Sequence, residues 1–392
     1  MIASFLLAQS IALIVLIFRL LPGRRRRPPI APIPGGYGVA SETVSVIVTS
    51  LNEARRITPC LEGLHAQGKP LVEVIVVDSR SCDGTREIVE QMVTRDDRFR
   101  LVTDPPLPPD WIGKVWALQH GLHEARGEWI LGVDADTEPQ PGMVAGALRA
   151  AVEEGYDIVS FSPCFAGQTA SEQWLQPAML LTLVYRFGAA GRKAPPADRV
   201  MANGQCFLAR RDILLRHGGY EVARRSFCDD VTLARHYAGL GAKVGFLDGS
   251  RLFFVRAYDS IGQMWREWGR SLDLQDAASP VRQWADVIFL FLVQALPLFV
   301  LLGFASGMIA LGGGVSLALF GVNLSILVTR VLMLFALRES YATLGVTFWL
   351  SPLADPLAAL RILLSTVRRP TGWRGRIYAL KTSGASPQAP TS

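Results

Sequence analysis

The sequence predicts an α/β fold with a mostly parallel sheet, in a chain that also carries long apolar segments near both ends. Short apolar runs alternate with amphipathic runs between residues 44 and 133, and acidic side chains follow the ends of several apolar runs. Strand–helix alternation of this kind is typical of a parallel sheet covered by helices on both faces. With 392 residues, half of them hydrophobic, the chain can bury a complete core.

The elements follow in order along the chain. Predicted strands span residues 44–48, 72–77, 99–102 and 129–133, and helices are predicted to end near residue 66 and to span residues 85–93 and 116–125. Ligands of an open α/β sheet bind at the carboxyl ends of its strands. Glu53 follows the first strand, Asp78 ends the second, and Asp134 with Asp136 ends the last, so we expect them to share one crevice.

The segment Asp134-Ala135-Asp136 is the strongest single motif. Alternation along an extended chain places both carboxylates on one side, where they can bind one divalent cation. Such oxygen ligands suit Mg²⁺ or Mn²⁺, which keep open positions for the phosphates of a nucleotide diphosphate. The same pattern also suits a polar turn after a strand, and the surrounding residues favour the metal site.

Three further places in the sequence are candidates for the site. Asp229 and Asp230 are adjacent carboxylates, which raise each other's proton affinity and suit a general base; they could equally cap the helix that follows. Lys114 follows Gly113, where the backbone can approach a phosphate closely, or it is a solvated lysine at a helix start. Asn203 and Gly204 suit a turn followed by a strand, and the family resemblance given below implies acceptor-side contacts for them.

The apolar segments predict a membrane protein. Residues 2–21 are long enough to span and precede four arginines, an order that indicates an uncleaved anchor with the following domain in the cytoplasm. Residues 287–309 and 315–337 predict two more spans. Residues 344–364 are interrupted by Pro, Asp and Arg, so we expect a re-entrant or interfacial segment, with a third C-terminal span as the alternative.

These observations divide the chain into seven regions. They are an anchor at 1–22, a basic Pro/Gly linker at 23–42, a catalytic α/β domain at 43–255, interfacial helices at 256–285, two transmembrane helices at 286–338, the re-entrant, interfacial or spanning segment at 343–366, and a basic cytoplasmic tail at 367–392.

The net charge of +6 does not indicate a nucleic-acid partner. The basic residues cluster beside the apolar spans, where they meet anionic lipid headgroups, and no basic stripe interleaved with aromatic residues occurs in the central region. The five cysteines are scattered without a Cys-x-x-Cys pair, so neither a disulfide framework nor a zinc site is expected.

In this order along the chain, the motifs resemble those of the membrane-bound members of glycosyltransferase family 2, which carry a GT-A domain. The resemblance runs from about residue 44 to residue 270. It implies that Asp78 holds the base or ribose of a nucleotide, with Asp83 as a second acidic position of that site. It also implies that Asp134 and Asp136 coordinate a metal-bound diphosphate.

The same resemblance assigns the remaining roles. Asp230 is the implied general base, and Asp229 stands where the family has Glu. Gln263, Arg266 and Trp268 resemble the family's Gln-x-x-Arg-Trp motif, with one extra residue before Trp. With Glu53 and Lys114, these residues complete the donor site that we predict.

Residues 111–118 and 373–378 resemble segments of the lipid-directed branch, which is similar to ceramide glucosyltransferases and to hopanoid- and carotenoid-associated transferases. The branch implies inverting transfer of one sugar from a nucleotide-diphosphate sugar to a lipid hydroxyl, with a carotenoid or related isoprenoid favoured. A processive polysaccharide synthase and a non-catalytic, nucleotide-sugar-binding membrane scaffold are the alternatives. The sugar and the oligomeric state are left open.

Overall fold

The computed structural model describes residues 2–36, 41–167, 169–192, 196–256, 258, 260–272, 274–368, 372–373 and 376–378. Its strands are β1 (Val44–Ser50), β2 (Leu71–Asp78), β3 (Phe99–Thr103), β4 (Trp129–Asp134), β5 (Thr137–Pro139), β6 (Ile158–Ser162), β7 (Cys164–Phe165), β8 (Cys206–Arg210), β9 (Val244–Asp248), β10 (Phe253–Val255), β11 (Gly372–Trp373) and β12 (Arg376–Ile377).

The helices complete the set of elements. They are α1 (Ile2–Leu20), α2 (Ile57–His65), α3 (Thr85–Arg95), α4 (Gly113–Glu124), α5 (Met143–Glu154), α6 (Ala170–Phe187), α7 (Arg211–Arg216), α8 (Asp229–Gly239), α9 (Ile261–Ser271), α10 (Pro280–Leu290), α11 (Leu296–Ala305), α12 (Gly314–Leu337), α13 (Val346–Trp349) and α14 (Asp355–Val367), and a π-helical turn (Phe291–Ala295) joins α10 to α11.

The main sheet has seven strands in the order β3-β2-β1-β4-β8-β6-β9. Its neighbours pair in parallel except at β8, which runs antiparallel to both β4 and β6. The prediction of a mostly parallel α/β sheet is therefore confirmed. The register brings strand ends together, because Ser50 pairs with Asp78 and Thr49 pairs with Asp134.

Apolar cores lie on the two faces of this sheet. Side chains of α2, α3 and α5 pack on one face, and side chains of α4 and α8 pack on the other. Every residue of β1 except Thr49 is buried, as expected for a strand that is rich in β-branched residues and covered by helices on both faces. A third cluster joins α1, α6, α9, α10, the π-helical turn, α12, α13 and α14 on the membrane side.

Three helical stretches of the described residues are long and apolar enough to cross a membrane. They are Ile2–Arg25, Pro280–Ala305 and Gly314–Ser340, which agrees with one N-terminal and two C-terminal spans. Helix α14 has 13 residues and so measures roughly 20 Å, less than the hydrocarbon thickness of a bilayer. It packs against α6, α9 and α10.

Part of the predicted linker is bound to the catalytic domain by backbone hydrogen bonds and an ion pair. The Ile30 N–H donates to the carbonyl of Asp248 at 2.8 Å, and the Ile33 N–H donates to the carbonyl of Gly142 at 3.0 Å. Gly142 has φ +87°, and a Cβ there would lie 2.2 Å from the carbonyl carbon of Ile33. Arg26 adds an ion pair to Asp248 at 3.1 Å. Residues 37–40 of the linker and 379–392 of the tail lie outside the described residues.

Candidate functional site

A cavity of about 310 Å³ opens at the carboxyl edge of the sheet. It lies between the strand ends, α6, α9 and the end of α12. Most of the predicted site residues line it. They are Glu53, Lys114, Asp134, Asp136, Asn203, Gly204, Asp229, Asp230, Gln263 and Trp268.

Lys114 is the central cation of the cavity. Its Nζ lies 2.6 Å from Oδ1 of Asp134. Burial lowers the pKa of Lys114, but the charges of Asp134, Asp229 and Asp230 together outweigh burial and hold it above its ordinary value. The backbone of Gly204 approaches so closely that a Cβ there would lie 3.2 Å from Nζ. Lys114 is therefore a charged, positioned group rather than a solvated helix-start residue.

Asp229 and Asp230 begin α8 and face the same cavity. Oδ2 of Asp230 accepts the Gly204 N–H at 2.7 Å, and its Oδ1 accepts the Val231 N–H at 2.8 Å. Burial is the main cause that raises the pKa of Asp229 to about 6, with Lys114 opposing and Asp230 adding to it. Burial also raises the pKa of Asp230. Such carboxylates can accept a proton near neutral pH.

Asp134 and Asp136 lie at a tight turn between β4 and β5. The Thr137 hydroxyl donates to the carbonyl of Asp134 at 2.8 Å and closes this turn, and both carboxylates line the cavity. Within the described residues, no group of three or more His, Cys, Asp or Glu side chains could hold a metal ion. Two carboxylates nevertheless fit Mg²⁺ or Mn²⁺, which such sites hold with one or two carboxylates plus substrate phosphates.

Asp78 and Asp83 do not line the cavity; they shape the loops behind it. Asp78 is fully buried and accepts hydrogen bonds from the Ser50 hydroxyl at 3.1 Å and the Ser81 N–H at 3.0 Å. Asp83 accepts hydrogen bonds from the Ala54 N–H and from the hydroxyl and N–H of Thr85. Their contacts order the segment that presents Glu53, which lies 3.5 Å from the Arg56 side chain.

The structure corrects the placement of Arg266. Arg266 is exposed and does not line the cavity, whereas Arg270, four residues further along α9, does. Arg270 pairs with Glu267 at 2.5 Å, and Glu267 also lines the cavity. At 100° per residue, Gln263, Glu267 and Arg270 share one face of α9, and Arg266 lies at its edge. The helical period therefore places both arginines near this face, and packing decides which of them lines the cavity.

The opposite end of the cavity is apolar. Leu180, Leu183 and Val184 of α6 form one wall, and Leu272 and Leu337 extend it towards the membrane-side cluster. Leu337 ends the span α12, so the cavity reaches from the carboxylates to the level of a membrane helix. Tyr258, which the sequence motifs did not identify, also lines it.

A mostly parallel sheet whose strand ends present an Asp-x-Asp turn defines the GT-A class of fold. A mannosyltransferase from Pyrobaculum calidifontis, solved with GDP-mannose and Mn²⁺, shares this fold: the TM-score is 0.53 at 20% identity, over 92% of this chain and 98% of that one. Residues 45–218 match the family Glycosyl transferase family 2. This match covers less than half of the 392 residues.

Two glycosyltransferases are similar in sequence to shorter stretches of this chain. The glycosyltransferase AglE of Haloferax volcanii is 30% identical over 136 residues, 33% of this chain and 43% of that protein. The dolichyl-phosphate beta-glucosyltransferase ALG5C of Trichomonas vaginalis is 34% identical over 113 residues, 27% of this chain and 32% of that protein. The matches thus span less than half the length of these relatives.

Proposed function

We propose that this chain is an inverting, metal-dependent glycosyltransferase that moves one sugar from a nucleotide-diphosphate sugar to the hydroxyl of a membrane lipid. The acceptor is a carotenoid, a related isoprenoid alcohol or a similar lipid. One observation carries the proposal: a single cavity joins the polar cluster around Lys114, Asp134 and Asp230 to an apolar wall that ends at a membrane helix.

The donor occupies the polar end of the cavity. Its sugar–phosphate bond breaks with the electron pair on the phosphate oxygen, and Lys114 lies where it can stabilise that negative charge. Asp134 and Asp136 would hold Mg²⁺ or Mn²⁺, which supplies Lewis-acid stabilisation of the same charge when bound. Glu53, Gln263 and Arg270 line the walls beside this position.

The acceptor hydroxyl enters from the apolar end. Its oxygen attacks carbon one of the sugar as the bond to phosphate breaks, and its proton passes to the carboxylate of Asp230. Asp230 is held by the Gly204 and Val231 N–H groups, so its orientation is set before the acceptor arrives. A single displacement of this kind inverts the configuration at carbon one.

The membrane arrangement supports a lipid acceptor. Helix α9, which carries Gln263 and Trp268, packs between α6 and α14 on the membrane side. The hydroxyl of Tyr378, beyond the last span, accepts a hydrogen bond from Gly113 of the catalytic domain. Two spans after this domain return the tail to its side, and the arginines after α1 favour the cytoplasm for that side.

A transfer assay on membranes containing the full chain tests this proposal. Labelled nucleotide sugars are supplied singly with Mn²⁺ or Mg²⁺, and the products are partitioned between organic solvent and water. We expect label in the organic phase that disappears in the Asp134→Ala/Asp136→Ala variant. Asp212→Ala removes an exposed carboxylate of α7 and is the matched control.

Other outcomes contradict the proposal in distinct ways. Label in a water-soluble polymer indicates a processive polysaccharide synthase. Nucleotide-sugar binding without transfer, over a panel of isoprenoid and sphingolipid-like acceptors, indicates a non-catalytic scaffold. Retention of configuration at carbon one of the product, measured by NMR, excludes the single displacement.

A further inference from the structure

Tyr378 contacts two catalytic-domain segments, although it follows the three candidate membrane spans of the described residues. It comes directly after the small antiparallel pair β11–β12. Its side chain is buried, with 8% exposed, in the apolar cluster that includes Ile112, Phe227 and Leu274. These three residues line the cavity, and Tyr378 lies behind them rather than in it.

The first contact is a hydrogen bond at the start of α4. The Gly113 N–H donates to the hydroxyl oxygen of Tyr378 at 3.2 Å, across 265 positions of sequence. The first N–H groups of a helix have no partner within the helix, and the residue before α4, Ile112, supplies no side-chain acceptor. Tyr378 therefore supplies the missing cap. The next residue along α4 is Lys114, which pairs with Asp134.

The second contact is a ring pair at the start of α8. The rings of Tyr378 and Phe227 meet edge to face, with centroids 5.8 Å apart and an interplanar angle of 80°. Phe227 precedes Cys228, which precedes Asp229 and Asp230. Cys228 also provides no side-chain cap to its helix. One side chain thus contacts the segments that begin both α4 and α8.

We propose that Tyr378 is a positioning residue that sets Lys114 against the Asp229–Asp230 pair, so that the C-terminal segment completes the active site. This inference rests on the transferase function proposed above. Tyr378 acts through the Gly113 N–H and the Phe227 ring and touches no reacting atom. Without the hydroxyl, the first turn of α4 loses its cap; without the ring, the segment before Asp229 loses its support.

Hydrogen exchange tests the contact without any substrate. Tyr378→Phe in the full chain removes the hydroxyl and keeps the ring. Tyr156→Phe removes a hydroxyl from a buried tyrosine beside Lys243, in the apolar cluster on the other face of the sheet. We expect exchange in a peptide covering residues 112–116 to rise roughly fivefold in Tyr378→Phe, as for one lost neutral hydrogen bond. Tyr378→Ala should also raise exchange over residues 227–231, and Tyr156→Phe should change neither peptide.

Activity measurements then distinguish a positioning role of Tyr378 from a general effect on the stability of the protein. We expect kcat to fall roughly fivefold in Tyr378→Phe and further in Tyr378→Ala, with little change in the donor KM or in the thermal midpoint. Unchanged exchange at residues 112–116 overturns the proposal, and so does faster exchange with unchanged kcat. If the wild-type chain transfers no sugar, the affinities of the wild type and the Tyr378 variants for UDP and GDP are compared instead of kcat. Failure of the proposed transferase function is then distinguished from failure of the positioning role.

Discussion

The ammonium of Lys114 lies 2.6 Å from Oδ1 of Asp134, and this contact joins the start of α4 to the end of β4. The same ammonium is held by the charges of Asp229 and Asp230 at the start of α8. Three elements that are far apart in the sequence therefore meet at one cation. Their meeting point is where the proposed reaction develops negative charge.

Lys114→Met should lower kcat/KM for transfer by about 100-fold or more, because a positioned group that stabilises the leaving group is lost. The measurement is initial rates with the labelled donor identified by the partition assay. Lys243→Met removes an exposed lysine whose Nζ contacts the carbonyl of Glu154, and it should leave the rate unchanged. A Lys114→Met rate within twofold of the wild type would contradict the role of this cation.

Asp230→Asn should lower kcat by about 100-fold or more while donor binding is retained, since the amide cannot accept the acceptor's proton. Donor affinity is measured separately by isothermal titration with the nucleotide sugar. The exposed Asp212→Asn is the matched control. If donor affinity falls as much as kcat, Asp230 is a donor ligand rather than the base.

The pH dependence of kcat/KM should have an acid limb near pH 6. Burial and Asp230 raise the pKa of Asp229 to about 6 against the opposing charge of Lys114, and the pair must be ionised to accept a proton. The rate should therefore fall up to about tenfold per pH unit below that value. An acid limb near pH 4 would show that the pair is not perturbed in the working enzyme.

The same shift predicts the direction of a stability change. Because the folded state raises the pKa of Asp229, it binds this proton more tightly than the unfolded chain does between about pH 4 and pH 6. The tighter proton binding of the folded state stabilises it fully below about pH 4, and this stabilisation is lost as the pH rises to about 6. Asp229→Asn should therefore gain stability relative to the wild type between pH 4 and pH 7. Thermal midpoints in detergent, without metal or nucleotide, measure it; a pH-independent difference contradicts it.

Two arginines of α9 provide a matched pair of variants. Arg270→Ala should lower kcat/KM by about tenfold or more, since its cationic group lines the cavity beside Glu267. Arg266→Ala should keep kcat/KM within about twofold of the wild type, as expected for an exposed side chain that does not line the cavity. Initial rates on the same membrane preparation compare them. The reverse order of effects would restore the sequence-based assignment of Arg266.

The pair Arg330–Asp355 should hold the segment after the last span in place. Nε of Arg330 lies 2.7 Å from Oδ2 of Asp355, and both residues are almost fully buried. Arg330→Met should cost about 3–5 kcal/mol because it leaves a buried charge without its partner. Arg330→Met/Asp355→Leu should recover most of that loss. Unfolding in mixed micelles measures both, and equal losses in the two variants would contradict an ion-pair role.

Much of the fold could be predicted because its signals are local. The apolar run at 129–133 corresponds to β4, and the run at 315–337 corresponds closely to α12. Strand period, helix period and span length each depend on residues close in sequence. The antiparallel direction of β8 was not predictable in this way, since strand direction depends on pairing with β4 and β6.

The same distinction between local signals and tertiary contacts applies to the candidate site. The Asp-x-Asp spacing and the family resemblance identified Asp134, Asp136 and the Asp229–Asp230 pair as candidates, and the structure brings them to one cavity. The resemblance assigned Arg266 to the donor site, whereas Arg270 lines the cavity, because a motif match does not specify which face of a helix meets the cavity. It also missed that residues 30–33 bind the domain through backbone hydrogen bonds, which leave no side-chain pattern.

The sequence by itself determined the α/β class, the apolar spans and the residue types of the site, because periodicity, hydropathy and short motifs are properties of neighbouring residues. The tertiary structure alone decided that Lys114 meets Asp134, that Arg270 rather than Arg266 lines the cavity, and that Tyr378 caps α4. Each of these contacts joins segments whose approach depends on packing of the whole chain, and no local pattern encodes that distance.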